Sequence, residues 1–365
     1  MNTAVSSIPK SPTPDLRIGV LGLGWMGATR AGLLAQLPGF QLVGCADTSP
    51  LAASRAPAGV PVVASLEELI ELGIEALVVS TPDRLHRDPT VRALRAGVHV
   101  FCEKPLASTL ADADEMIGAE RASQARLVVG QTLRANPRYR ALRAKVQSGE
   151  LGEGIHATSR RSWPAPEGAR HAAQTTLAQY LSIHELDALQ WVLGQEIVRV
   201  YAEQSATRLA GFGDGAASLV ATLSFADGTV ASHECTWGLP DSAGMVLGDC
   251  SMSVIGSEGS AYLVDRDQGV TVYGGTREIP QPESTRDDLF LVRGAIETPE
   301  AADDLTGQLG SPYAAELLAF LGAVRGTREP IVASAEARSA LAAVLALEES
   351  LASGLPVTVN RGVFA

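Results

Sequence analysis

With 365 residues, the chain is long enough for two domains of roughly 100–200 residues each. A hydrophobic content of 46% and a charged content of 19% are typical of a folded globular protein and exclude a disordered one. The formal charge of −12 argues against nucleic-acid binding, which needs a basic surface, but not against a dinucleotide, which helix N-termini and backbone amides hold without net positive charge.

The N-terminal stretch, residues 1–15, is rich in Ser, Thr and Pro and predicts a disordered arm. It has no apolar run of signal-peptide length, and no purely apolar run approaches the ~18 residues of a bilayer span, so we expect no membrane partner. The cysteines form no CxxC pair and no Cys/His ligand spacing, which favours reduced core thiols, a cytoplasmic location and no metal site. They are Cys45, Cys102, Cys235 and Cys250.

The stretch "LRIGVLGLGWMGATRAGLLAQL" predicts a buried strand over 16–21, a glycine-rich turn and a helix. Gly22, Gly24 and Gly27 have the spacing G-x-G-x-x-G. The first glycine permits the tight turn, the second lets a pyrophosphate approach the backbone, and the third lets the helix pack closely on the strand. Because the motif lies between a strand and a helix, it predicts a dinucleotide site; the alternative is that the glycines serve packing alone.

A second predicted strand, "FQLVGCAD", ends at Asp47, 20 residues after Gly27. A carboxylate at this place accepts hydrogen bonds from the adenosine ribose hydroxyls. Thr48 and Ser49 follow, with no arginine directly beside Asp47 to neutralise a 2′-phosphate. The cofactor is therefore predicted to be NAD rather than NADP.

Strands and helices continue to alternate up to residue 133, which predicts a doubly wound parallel sheet, a Rossmann domain, over 16–133. Ser65 with Glu68 and Thr109 with Asp112 have the spacing of helix N-terminal caps. Ligands of such sheets bind outside the carboxyl ends of the strands. The residues expected there, besides Asp47, are Thr81, Pro82, Lys104 and Gln131.

From residue 134 to 365 the pattern changes to strands of alternating or apolar character, followed by a helical tail and a last short strand, "LPVTV". Asp227-Gly228 in "FADGTV" predicts a β-hairpin, and "IGSEGSAYL" predicts another. This region, residues 134–365, is expected to form a second domain of strands and helices, an α/β domain.

Several motifs occur in order along the chain: "GLGWMG", Asp47, "STPDRLH", "EKP", "GQTLRANPRY", "SIHELDALQWVLG" and "HECTWGLP". Through these motifs the chain resembles the Gfo/Idh/MocA family of sugar and polyol oxidoreductases from about residue 16 to near its C-terminus. The resemblance implies a second domain built on a large, mostly antiparallel open sheet, whose free face would form a homodimer or homotetramer. It also extends the NAD site. The residues expected to bind NAD are Gly22, Gly24, Trp25, Met26, Gly27, Asp47, Thr81, Pro82, His86, Glu103, Lys104 and Gln131.

In this family the lysine of E-K-P orients the substrate hydroxyl, and a histidine on a helix of the second domain acts as acid and base. Lys104 and His184, 80 residues later, match these positions. The aspartate that usually stands four residues before the histidine is replaced by Tyr180. A helix would place residues 180 and 184 on one face. Tyr180 then either transfers a proton, helped by Lys104, or packs against the substrate or a neighbouring helix.

Arg134, Arg161 and Trp163 are further candidates for substrate binding beside Lys104, Tyr180 and His184, since donors and an aromatic face suit a hydroxyl-rich ring. Asn136, Arg160 and His171 lie nearby in the sequence, and Asp187 is expected to be structural. The predicted function is hydride transfer between NAD and a secondary hydroxyl or keto group of a cyclic polyol, sugar or glycoside. Redox-assisted elimination or hydrolysis with retained NAD, and a non-catalytic NAD- or sugar-sensing role, are the alternatives.

Overall fold

The computed structural model describes residues 14–207, 209, 212, 217–239, 249–264, 270–274, 295–297 and 311–362, with 270–274 and 295–297 described by their backbone alone. The predicted N-terminal arm, except Pro14 and Asp15, lies outside these ranges. The chain divides into two compact units. One consists of Met1–Gly130 with Asp303–Ser334, and the other of Gln131–Ala302 with Ala335–Ala365.

The first unit contains a six-stranded parallel sheet with the order β3-β2-β1-β4-β5-β6, which confirms the predicted Rossmann fold. Its strands are β1 Leu16–Leu21, β2 Phe40–Ala46, β3 Val62–Val63, β4 Ala76–Val79, β5 His99–Glu103 and β6 Leu127–Gly130. Its first helices are α1 Trp25–Leu34, α2 Ala52–Arg55, α3 Leu66–Glu71, α4 Arg87–Arg95 and α5 Leu110–Arg121. Strands β4 and β6 are buried at every position, as expected of a sheet covered on both faces.

The second unit contains a nine-stranded sheet with the order β14-β13-β12-β11-β7-β10-β9-β8-β15. The pairing of β7 with β10 is parallel, and every other described pairing is antiparallel, so the predicted mostly antiparallel sheet is confirmed. The strands are β7 Gly154–Pro164, β8 Ile197–Gln204, β9 Ser218–Phe225, β10 Val230–Leu239, β11 Asp249–Gly256, β12 Gly259–Val264, β13 Val270–Gly274, β14 Ala295–Glu297 and β15 Val357–Thr358. Both predicted hairpins are present, as β9–β10 and β11–β12.

The helices of the second unit are α6 Pro137–Gln147, α7 Ala165–His171 and α8 Ile183–Leu193, and α8 is directly preceded by a π-helical segment, Ala178–Ser182. Two further helices, α9 Pro312–Val324 and α10 Ser334–Ser353, follow later in the chain. Among the helices that the structure describes, none is both long and apolar enough to cross a lipid bilayer.

Helix α9 belongs to the first unit, whereas the sequence analysis assigned everything after residue 133 to the second domain. The reason is the fully buried Arg30 of α1, whose guanidinium binds Glu103 at 2.7 Å and Glu316 of α9 at 2.6 Å. Phe320 of α9 also packs edge-to-face on Phe101, with ring centroids 5.8 Å apart. A buried charge pair and an aromatic contact therefore attach a distant helix to the Rossmann core.

Candidate active site

The glycine-rich turn has the shape that a dinucleotide requires. Gly22 has φ +91°, and a Cβ atom on it would collide with the carbonyl oxygen of Ser80. A Cβ on Gly27 would collide with the carbonyl oxygen of Gly22. Gly24 differs, because it is exposed and no atom lies within 4 Å of the place its Cβ would take. The turn is thus closed on the protein side and open at Gly24, where the pyrophosphate of NAD would approach.

Asp47 lies at the carboxyl end of β2 and contacts this turn. Its carboxylate accepts hydrogen bonds from the backbone N–H of Leu23 and, at 2.6 Å, of Ser49. Arg55 of α2 donates to the carbonyl oxygen of Leu23 at 3.1 Å. The structure therefore places a cation on the same turn, which the sequence analysis did not find because Arg55 is eight residues past Asp47.

Lys104 directly follows β5, is half-buried, and is joined to Pro105 by a cis peptide bond. His86 lies behind this turn. Its Nδ1 is 2.9 Å from the carbonyl oxygen of Pro105, and its Nε2 is 2.9 Å from that of Thr81. Carbonyl oxygens only accept hydrogen bonds, so both ring nitrogens donate and the ring is protonated. His86 thereby ties two strand ends of the first unit together.

The pKa of His86 agrees with this geometry. Burial opposes a charged ring, but the interactions with Cys102, Asp83 and the Pro105 carbonyl outweigh it and raise the pKa to about 10. The neighbouring Thr81 has a buried Oγ1 for which the described residues provide no hydrogen-bond partner. A cofactor hydroxyl or amide would satisfy that atom.

The remaining predicted cofactor residues have different surroundings. Trp25 is 74% exposed at the start of α1, with Met26 half-buried beside it and Pro82 exposed. Glu103 is buried against Arg30, an interaction within the core, so its role at the cofactor stays a prediction. Gln131, at the start of the second unit, is buried, and its Oε1 finds no hydrogen-bond partner among the described residues.

In the second unit, His184 is half-buried in the first turn of α8, as predicted for a helix position. Tyr180 lies in the π-helical segment before it, so the regular α-helical turn expected between the two residues is replaced by a wider one. π-helical turns are frequent at functional sites. The backbone therefore departs from regular helix at the position where the family pattern changes from aspartate to tyrosine.

The ring of Tyr180 packs in an aromatic cluster of the second unit. It stacks on His171 of α7, with centroids 4.4 Å apart and planes 22° apart, and lies 5.8 Å from Trp237 of β10. The ring of Phe212 also lies near Trp237, with centroids 5.6 Å apart, and Glu167 contacts Nε2 of His171 at 3.2 Å. This geometry favours the packing role for Tyr180. The stack joins Tyr180 to His171, nine positions earlier in the chain, a spacing that no helix or strand period predicts.

Arg134 and Arg161, both predicted to bind substrate, are buried and paired with carboxylates. Arg134 binds Asp187 with two hydrogen bonds of 2.9 and 2.8 Å, and Arg161 binds Glu185 of α8. These pairs favour a structural role for both arginines, and substrate binding by them stays a prediction. Trp163 is half-buried, with its ring 5.9 Å from the guanidinium carbon of Arg161.

Two stretches of the chain match the sequence models of one family. Residues 16–131 match GFO_IDH_MocA, described as "Oxidoreductase family, NAD-binding Rossmann fold", and residues 139–262 match the GFO/IDH/MocA C-terminal domain. The chain belongs to the Gfo/Idh/MocA oxidoreductase family. This confirms the resemblance and the assignment of NAD as cofactor, since the first matched stretch covers the glycine-rich turn and the carboxyl edge of the parallel sheet.

Among its relatives, an inositol 2-dehydrogenase of Leifsonia xyli is 33% identical over 198 residues, which are 52% of this chain and 56% of that protein. A scyllo-inositol 2-dehydrogenase (NAD⁺) of Bacillus subtilis is 26% identical over 360 residues, 95% and 97% of the two chains. The structure of the WlbA dehydrogenase of Bordetella pertussis, in complex with NADH and UDP-GlcNAcA, matches with a TM-score of 0.80 at 23% identity and covers 96% of this chain and 99% of that one. At that identity the structural likeness shows the fold alone.

Proposed function

We propose that this member of the family transfers a hydride between NAD and a secondary hydroxyl or keto group of a cyclic polyol, a sugar or a glycoside. The observation that carries the proposal is the position of Lys104, directly after β5 at the carboxyl edge of the NAD-binding sheet. Ligands of open parallel sheets bind outside this edge. A lysine there is on the side of the sheet where the reacting group of a substrate must approach the cofactor.

The glycine-rich turn, Asp47 and Thr81 would hold NAD, which accepts or supplies the hydride when bound. The ammonium group of Lys104 has three hydrogen-bond donors and no acceptor. It would orient the substrate hydroxyl and stabilise the oxygen as its proton leaves. His184 would take up or return that proton, because a histidine side chain exchanges protons near neutral pH.

Tyr180, by this proposal, provides a packed aromatic surface rather than a proton. Its stack on His171 supports this, since the stack depends on the ring and not on the hydroxyl. Tyr180→Phe keeps the ring, so turnover should stay within about tenfold of the native value, the worth of one hydrogen bond. A proton-transfer residue contributes about 10²–10⁴-fold. A hundredfold loss of turnover in Tyr180→Phe would therefore overturn the packing role.

The names of two relatives, both inositol dehydrogenases, support cyclic polyols as the first substrates to test. NADH formation should be measured with the full chain across inositols, monosaccharides and glycosides. Lys104→Met should lower kcat/KM by about 10²–10³-fold while NAD still binds. Lys145→Met is the matched control, because Lys145 pairs with Glu150 at the surface of the second unit.

Two outcomes would contradict this function. If NAD binds but none of these substrates yields NADH, the sensing alternative is favoured. Products that form from glycosides without net NADH would instead favour redox-assisted elimination or hydrolysis with retained NAD. Full activity of Lys104→Met would remove the observation on which the proposal depends.

We also infer that the protein forms a homodimer or homotetramer through the second unit's sheet. Residues of β9 and β10 alternate between buried and exposed, so one face of these strands is open in the single chain. That face carries Val220 and Val230, which are 54% and 44% exposed. Light scattering should show an oligomer, and Val220→Glu with Val230→Glu should shift it toward monomer. A native monomer would contradict the inference.

A cytoplasmic location is part of the same proposal. The four cysteines are all buried, and all are free thiols. Free thiols in this number are typical of a reducing compartment.

Among the described residues, no group of three or more His, Cys, Asp or Glu side chains is placed to hold a metal ion.

A further inference from the structure

A cavity of about 290 Å³ opens in the second unit, between the last turn of α8 and the first turns of α10. It is unusual for this chain, whose formal charge is −12, because cations outnumber anions in its lining. Four guanidinium groups face two carboxylates. The arginines are Arg134, Arg143, Arg338 and Arg361, and the acids are Glu196 and Glu336.

Three of the arginines have partners in the protein. Arg134 is held by Asp187 and, at 2.8 Å, by Glu336. Arg361 contacts Glu196 at 3.2 Å, and Arg338 donates to the carbonyl oxygen of Asn360 at 2.9 Å. The two acids of the lining are thus engaged by Arg134 and Arg361.

Arg143 of α6 has no such partner. Within the described part of the chain, no carboxylate lies within 4 Å of it, and its guanidinium lies over the ring of Trp191, 4.9 Å from the centroid. Its pKa is lowered, first by burial and then by the neighbouring charge of Arg134, and the charge of Glu336 offsets this only in part. A half-buried cation beside a second cation is a site that an anion would stabilise.

We propose that this cavity binds a phosphate group, with Arg143 as its main ligand and Arg338 and Arg361 as the surrounding donors. A phosphate has acceptor oxygens in several directions and suits guanidinium groups from more than one segment of the chain, here α6, α10 and the C-terminal stretch. Trp191 already has Arg143 and, at 5.7 Å, Arg134 against its ring, so it holds the guanidinium groups in place rather than stacking on an aromatic ligand.

The site is distinct from the proposed reaction centre within its own unit. Helix α8 carries His184 in its first turn and lines the cavity with Gln190 and Trp191 in its last. None of Arg143, Arg338 and Arg361 has a role in the proposed hydride transfer. Inorganic phosphate and a phosphorylated sugar both carry the phosphate group that the cavity would bind, so the experiment tests the two compounds separately.

Binding should be measured by calorimetry on the full chain with saturating NAD, so that the glycine-rich turn does not take up phosphate. The titrants are inorganic phosphate, glucose 6-phosphate and glucose, with sodium chloride and acetate at equal ionic strength as anion controls. We expect saturable binding of a phosphate-bearing titrant and none of glucose, chloride or acetate. Tighter binding of glucose 6-phosphate than of inorganic phosphate assigns the site to a phosphorylated sugar; the reverse assigns it to free phosphate.

Arg143→Gln should weaken phosphate binding by about tenfold or more, the loss of a charge-assisted pair. Arg140→Gln is the matched control, because Arg140 is exposed on the same helix, and it should leave binding unchanged. If Arg143→Gln does not fold, Arg361→Gln, which alters a half-exposed side chain, should show a smaller loss. Phosphate binding no tighter than that of chloride, or equal phosphate affinity in the native chain and the Arg143 or Arg361 variants, would overturn the proposal.

Discussion

The two units build their candidate sites with different parts of the chain. In the first unit the cofactor edge is shaped by backbone: a positive-φ glycine, strand ends, and carbonyl oxygens that hold His86. In the second unit the region around α8 is shaped by buried side-chain pairs, Arg134 with Asp187 and Arg161 with Glu185. The cofactor edge of the first unit therefore depends on residues that are close together in the sequence, whereas the region around α8 depends on partners that are distant in the sequence.

A buried histidine in each unit shows the same difference, because one is held by backbone atoms and the other by side chains. His86 contacts two carbonyl oxygens, must donate from both nitrogens, and has a raised pKa. His233 lies between the hydroxyl groups of Ser159 and Ser182, each 2.9 Å away. Hydroxyl groups donate or accept, so this ring stays neutral, and burial, followed by the charge of Arg161, lowers its pKa to about 3. The partner atoms, rather than burial alone, decide the charge of a buried histidine.

The largest effect is expected from Arg161→Met, which breaks a buried pair of the second unit. Glu185 is fully buried and would lose its ion pair with Arg161, whereas its 3.3 Å hydrogen bond from Tyr139 would stay. Leaving a buried carboxylate without its cation costs about 3–5 kcal/mol of unfolding free energy. Denaturant unfolding measures this loss.

Arg160→Met is the control for that change. Arg160 directly precedes Arg161 in β7 and pairs with Glu234 at the surface, so its loss should cost no more than about 1 kcal/mol. Equal losses in the two variants would show that the buried pair is not what stabilises α8 on the sheet.

The corresponding test of the first unit adds one methyl group to each of two glycines in its glycine-rich turn, Gly27 and Gly24. Gly27→Ala would press a methyl group on the carbonyl of Gly22 and should cost about 1–3 kcal/mol of unfolding free energy, as overpacking does. Gly24→Ala meets no atom within 4 Å and should cost less than about 1 kcal/mol. NAD titration should nevertheless show weaker binding in Gly24→Ala, because its methyl group occupies the open side of the turn. NAD affinity equal to that of the native chain would contradict this use of Gly24.

The histidine contrast predicts opposite pH dependences. For His233 the folded pKa, about 3, lies below the unfolded value, so the unfolded chain binds the extra proton. Its contribution to stability is complete above about pH 6.5 and falls by about 1.4 kcal/mol per pH unit as the pH drops toward 3. For His86 the folded pKa is higher than the unfolded one, so its contribution is complete below about pH 6.5 and is lost as the pH rises toward 10.

Urea unfolding of the native chain, His233→Gln and His86→Gln across this pH range measures both contributions by difference. The difference for His233→Gln should shrink as the solution becomes more acidic, and that for His86→Gln should shrink as it becomes more alkaline. Differences that do not change with pH would show that the two rings do not titrate as their partners imply.

The smallest effect is expected at a local backbone feature of the first unit. Ser65 caps α3 by accepting a hydrogen bond from the N–H of Glu68 at 3.2 Å. Ser65→Ala should cost about 1 kcal/mol of unfolding free energy, and Ser65→Asp, which keeps an acceptor, should cost little. If both variants lose equal stability, the cap is not the cause.

Local signals made most of the fold predictable. The first strand was expected over 16–21 and is observed as Leu16–Leu21, and the caps at Ser65 and Thr109 and both hairpins of the second unit are present. The glycine-rich turn with Asp47 was predictable for the same reason. Each of these features depends on a glycine dihedral angle, a side-chain acceptor or a residue period within a few neighbouring positions.

The family, the two kinds of sheet and the residues that follow the parallel strands can be predicted from the order of the amino acids alone. Which charges are neutralised inside the protein, and which face a cavity, becomes visible only in the folded chain. Arg30 joins α9 to the first unit across 286 residues, Arg134 is paired with Asp187, and Arg143 faces the cavity with no carboxylate of the described residues within 4 Å of it. Backbone geometry is encoded by neighbours, but the partner of a charged side chain depends on which distant segments the packing brings within a few ångströms.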